Sequence, residues 1–118
     1  MRSRHNAFIV LLFAACAGCG ATTGPPTSRV ASTEAAIRSA RELGAESVPT
    51  AALHLRFSQE QLQSAKAAMV VDENERADLL LRRAQADAEL AIGLTRELTA
   101  TTGNQQAAEQ LQQAKAAK

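Results

Sequence analysis

At 118 residues the chain has room for one domain at most. Its 46% hydrophobic content is ordinary, but 26 residues are alanine, tryptophan and tyrosine are absent, and the phenylalanines are Phe8, Phe13 and Phe57, which disfavours a thick core or a deep apolar enzyme pocket. Thirteen basic residues against 12 acidic ones leave a formal net charge of +1, and that balance disfavours nucleic acid as a partner.

Residues 1–18 read as an export segment. Arg2 and Arg4 precede an apolar run from Ala7 to Ala15, and small residues then lead to a cysteine. That run is about half the ~20 residues a membrane-spanning helix requires, so the segment reads as one that is processed and removed. The stretch resembles the bacterial lipobox, in which small residues precede a cysteine that is diacylated and becomes the new N-terminus. Ala17-Gly18-Cys19 makes Cys19 the expected lipidation site, with Ala14-Ala15-Cys16 placing Cys16 as the alternative. Both depart from the lipobox three residues before the cysteine, where leucine is usual and this chain has Cys16 or Phe13. Cleavage before Cys19 discards Cys16, whereas cleavage before Cys16 leaves Cys19 as an unpaired thiol in an oxidising compartment. A Cys16/Cys19 redox pair would need a strand-to-helix context that this segment lacks.

Residues 19–31 then form the lipidated N-terminus and a linker, because Gly20 to Ser28 is small and polar and contains Pro25-Pro26. From Val30 the periodicity is helical, and the fold class is all-α, with an alanine-rich domain over residues 32–100. The first helix is expected from Ser32 or Thr33, as N-cap, to Leu43, with Gly44 ending it. Its apolar face is Val30, Thr33, Ile37, Ala40 and Gly44. Pro49 opens a second helix to about Val71, with a seam of Ala51, Leu55, Ser58, Leu62, Ala65 and Met69 stepping four and three.

Asp72 to Glu75 supply a short turn, with Asp72 or Asn74 as the expected cap of a third helix, so the second and third helices are antiparallel neighbours. The third seam is Ala77, Leu80 or Leu81, Ala84, Ala88, Ala91, Leu94 and Leu98. Packing of the whole is expected to centre on Leu55, Leu62, Met69, Leu80, Ala84, Ala88 and Leu98, in a helical hairpin or a three-helix arrangement. Gly93 marks a close crossing or a tolerated glycine. Thr101-Thr102-Gly103-Asn104 is read as the end of the third helix, and residues 101–118 as a weak helix or a frayed tail with Leu111 as the one large apolar residue.

No chemistry-bearing cluster emerges. No second metal ligand lies on the helical face of His54, and Asp72, Glu73, Glu75 and Asp78 lack the spacing of a calcium loop. Those carboxylates complement a helix N-terminus, and Asp78 is set to pair with Arg82 four residues on, as Arg83 is with Asp87. No metal and no cofactor is expected, and neither is enzyme activity.

The chain resembles a family of small, uncharacterised bacterial lipoproteins defined only as a domain of unknown function, sometimes attached to an OmpA-like peptidoglycan-binding domain. The resemblance covers about residues 35–91. It rests on Glu34-Ala35-Ala36-Ile37, Ala40-Arg41, Pro49-Thr50-Ala51-Ala52-Leu53, Leu62-Gln63-Ser64-Ala65-Lys66-Ala67-Ala68, Glu75-Arg76-Ala77 and Ala84-Gln85-Ala86-Asp87-Ala88-Glu89-Leu90-Ala91. Where that family usually has glycine in the second turn this chain has Val71-Asp72-Glu73-Asn74, and an aromatic common before the proline is missing. The resemblance implies a hairpin like a tetratricopeptide helix pair and carries no catalytic residues.

The resulting expectation is a lipid-anchored protein of the bacterial cell envelope, at the outer membrane facing the periplasm. Its helical module would serve structural support or protein–protein interaction, with an envelope protein or a second copy of itself as partner. The alternative is a soluble periplasmic ligand- or metal-binding protein centred on His54 and the acidic turn.

Overall fold

The computed structural model describes residues 24–117, which form three α-helices and no strand. Helix α1 spans Thr27–Glu42, a single 3-10 turn follows over Ala45–Ser47, α2 spans Pro49–Val70 and α3 spans Asn74–Ala116. Short connections make successive helices antiparallel, so α1 and α3 run the same way on either side of α2's direction. Helix α2 packs most extensively on α3, and α1 lies mainly along α3 with less contact to α2.

Helix α1 begins five residues before the expected cap. Pro26 sits at the N-cap, and its carbonyl accepts hydrogen bonds from the Arg29 and Val30 amides, both at 3.1 Å. Proline is well suited to a helix start because the groups it lacks are unpaired there anyway. Pro25-Pro26 therefore ends the linker and launches the helix. Thr33 does not cap: it is fully buried in the middle of α1. The C-terminus falls where glycine predicts, with Gly44 at φ +85° and its amide bonded to the Arg41 carbonyl at 2.9 Å.

Neither expected cap of α3 acts as one. Asp72 adopts the left-handed conformation at φ 59°, with its amide bonded to the Met69 carbonyl at 3.2 Å and the Glu73 amide to the Ala68 carbonyl at 2.9 Å. These two bonds are the Schellman closure of α2, with Asp72 in the left-handed position that glycine commonly fills. Asn74 directs a buried Oδ1 that has no hydrogen-bond partner.

The largest departure lies at the far end. Helix α3 does not stop at Thr101-Thr102-Gly103-Asn104 but continues through them to Ala116. The threonines accommodate this by turning their hydroxyls back onto the helix: Thr95 donates to the Ala91 carbonyl at 2.8 Å, Thr99 to Thr95 at 3.0 Å and Thr102 to Leu98 at 2.9 Å. No proline interrupts the run, and one glycine costs about 1 kcal/mol, too little to end a helix on its own.

The core is a single seam. Its buried positions are Thr33, Ile37 and Ala40 on α1; Ala51, Leu55, Ser58, Leu62, Ala65 and Ala68 on α2; and Ala77, Leu81, Ala84, Ala88, Ala91 and Thr95 on α3. Steps of four and three alternate as in a heptad, broken once on α2, where Ala68 rather than Met69 follows Ala65 in the seam. Small residues let backbones approach closely, as shown by the Ser58 hydroxyl, which donates across the α2–α3 interface to the Ala84 carbonyl at 2.6 Å.

Candidate functional site

The lipobox cysteines, Cys16 and Cys19, lie outside the described residues. Of the remaining predicted residues, Leu55, Leu62, Ala84 and Ala88 are buried in the seam, and Met69 and Leu80 pack against it from its margin. At the Leu80/Leu81 position the fully buried residue is Leu81, because Ala77, Leu81 and Ala84 keep the four-three step and Leu80 falls beside it. Leu98 is 49% exposed. It lies three residues past Thr95, the last buried position of α3, and α2 starts only at Pro49, so the seam has run out of partner there. Gly93 is exposed, and a Cβ added to it would meet open space, so it marks no close crossing.

Several polar side chains lock helices across the interfaces. Arg29 of α1 contacts Asp78 of α3 at 2.5 Å, and Asp78 also accepts from Arg82 at 2.8 Å. Lys66 of α2 meets Glu34 of α1 at 2.6 Å. The hydrogen bond from Arg29, with the positive charge of both arginines, holds the Asp78 carboxyl below the usual range; the hydrogen bond and charge of Lys66 do the same for Glu34. Arg83 does not take Asp87. That carboxylate instead meets His54 Nδ1 and accepts from Gln61 Nε2, each at 2.8 Å and each from α2. Phe57 stands edge-on to the His54 ring at 6.2 Å, with the Arg56 guanidinium 5.9 Å from its centroid.

The His54–Asp87 pair has the geometry of a carboxylate-oriented imidazole, but the nearby hydroxyl, Ser58, is fully buried and committed to the Ala84 carbonyl. Nor does the fold join His54 to the acidic turn. Eighteen residues of α2 separate His54 from Asp72, ~27 Å along the helix axis, so the two do not form one site. Among the described residues no group of three His, Cys, Asp or Glu side chains is placed to hold a metal ion. None of these helices is long and apolar enough to cross a membrane.

The cross-helix pairs were not legible in the sequence, since their members lie 49, 32 and 33 residues apart. Asp78–Arg82, four residues apart within one helix, follows from spacing alone.

Among the described residues, two surfaces have no cover from another element. One is the end of the bundle where Pro25, Thr27, Val30, Lys66, Met69 and Val70 line a mostly apolar groove of about 380 Å³. The other is α3 beyond Thr95, where every described residue from Arg96 to Ala117 is exposed.

Residues 28–107 match the family described as a domain of unknown function, DUF4398, and the chain belongs to that family. No curated protein and no solved structure matches the chain.

Proposed function

We propose that this member of the DUF4398 family is a lipid-anchored protein of the bacterial cell envelope whose helical body is a non-catalytic module for structural support or protein–protein interaction. Residues 1–18 direct export, Cys19 receives the acyl chains, and the residues from Gly20 to Pro25 tether the bundle to the outer membrane on its periplasmic side. More than one acyl chain gives a stable anchor without a spanning helix, each buried methylene contributing ~0.8 kcal/mol.

The observation that carries the anchor is Ala17-Gly18-Cys19 standing directly behind an Arg2/Arg4-led apolar segment and just ahead of the prolines that start α1. The interaction role draws its support from the far end of α3. A helix exposed on all sides and poor in large apolar residues gains little from its own backbone bonds, and such a segment is stabilised by meeting another surface. The partner in this reading is an envelope protein, with a second copy of the chain as the other candidate.

Metabolic labelling of cells with a palmitate analogue tests the anchor. The wild-type chain should be labelled and fractionate with membranes, and Cys19→Ser should lose both properties. Unchanged labelling and fractionation of Cys19→Ser would overturn the Cys19 assignment, and transfer of the loss to Cys16→Ser would move the anchor to Cys16.

A further inference from the structure

The three most exposed large apolar side chains of the described residues gather at one end of the molecule. Val70 is 83% exposed and Val71 64%, both at the C-terminus of α2, and Leu79, in the second turn of α3, is 60% exposed. The apolar groove opens at the same end, walled by Pro25 just ahead of α1, by Val30 of α1 and by Met69 and Val70 of α2. Exposed apolar surface concentrated in one place marks a contact.

Chain connectivity says with what. Pro25 lies in the wall of this groove, and Cys19 is six residues before it, a length that spans at most ~20 Å even when fully extended. Resting on the lipid-anchor reading above, we infer that this end of the bundle, with Val70 and Val71 foremost, seats on the lipid surface that holds the acyl chains of Cys19.

The charges of this end specify which surface. Arg29 is occupied by Asp78, Lys66 by Glu34 and Arg76 by Glu73, the last at 2.7 Å, while Asp72 and Glu75 add negative charge without a partner in an ion pair. Among the described residues of this end, Arg29, Lys66 and Arg76 each have a carboxylate partner, so the contact is apolar and takes a zwitterionic bilayer. A tether this short keeps the tip at high local concentration at the membrane, so a contact too weak to bind from solution is populated once the chain is anchored.

The test uses the full lipidated chain, carrying Val71→Cys and labelled with an environment-sensitive fluorophore, reconstituted in phosphatidylcholine vesicles that contain a lipid with a nitroxide quencher. Val71 is exposed, so the label leaves the seam untouched. Leu111→Cys, labelled in the same way, reports from the far end of α3. Intact-mass analysis of each preparation establishes whether Cys19 carries acyl chains. Quenching several-fold stronger at position 71 than at 111, on acylated chain, supports the seat. Equal, weak quenching at both positions on acylated chain overturns the seat and leaves the anchor standing. Absence of acyl mass on Cys19 overturns the anchor, and the seat falls with it. An emission shift at position 71 that grows with protein concentration in the absence of vesicles shows a second copy on the tip and overturns the assignment to lipid.

Discussion

One helix lives in two environments. Over Asn74 to Thr95, α3 has a buried residue every three or four positions and two other helices to cover them; from Arg96 onward it has none. The backbone is the same, but the first stretch is held by packing and the second by its own hydrogen bonds. Most helical stability in proteins comes from packing of a buried face, so the two parts should respond differently to the same kind of substitution.

The sharpest contrast is a charge in each part. Leu62→Asp places a carboxylate at a position 6% exposed in the seam, and should cost about 4 kcal/mol, most of the stability of a domain at the low end of the ordinary range. Leu111→Asp, at a position 56% exposed, should stay within about 0.5 kcal/mol. Denaturant melts followed by circular dichroism measure both, and equal midpoints would remove the distinction between the two regions.

An added side chain is a milder probe. Ala84→Leu forces three methylene-sized groups into a fully buried site beside the Ser58 hydroxyl, and should destabilise by about 1–3 kcal/mol. Ala107→Leu, on the exposed stretch, should leave the melting of the body unchanged. A stable Ala84→Leu variant would show that the α2–α3 interface is looser than its alanines indicate.

The smallest effect is that of acid. Glu34 and Asp78 have folded-state acidities shifted below their ordinary values of 4.5 and 3.8, so their contribution to stability is present above those values and is lost as pH falls through the lower folded ones. Both pairs join α1 to the other helices, and their partial exposure keeps the contribution small. Melting temperature should therefore fall as pH drops from about 5 to about 3, with a shallower fall in Glu34→Gln/Asp78→Asn. An identical pH profile for that double variant would show that these bridges contribute nothing to docking α1.

The division between the two regions also marks what could be read in advance. The heptad seams of α1 and α2 were legible because apolar spacing is local and survives folding: Thr33, Ile37 and Ala40, then Ala51, Leu55, Ser58, Leu62 and Ala65, are all buried. Leu98 has the same spacing but is exposed, since periodicity shows which face would be buried and not how far the covering helix extends. The run of Thr101 to Asn104 reads as a stop because threonine, glycine and asparagine each weaken a helix. Their costs are separate and small, and the Thr102 hydroxyl bonds back to the Leu98 carbonyl one turn earlier. Asp87 was assigned to Arg83 by spacing, yet His54 and Gln61 take it from another helix, a meeting that depends on the register between α2 and α3.

An odd number of helices has a geometric corollary. In a two-helix hairpin the first and last residues return to the same end, whereas three helices send them to opposite poles. Helix α3, at 43 residues, is ~65 Å long. The last ~30 Å of it, from Arg96 to Ala116, overhang the bundle on the side away from Pro25. On the proposed anchoring, a molecule fastened at its Pro25 pole would work as a bracket: its footing and its free arm would be separated by the length of the bundle, and whatever gripped the arm would be held at a standoff from the surface below.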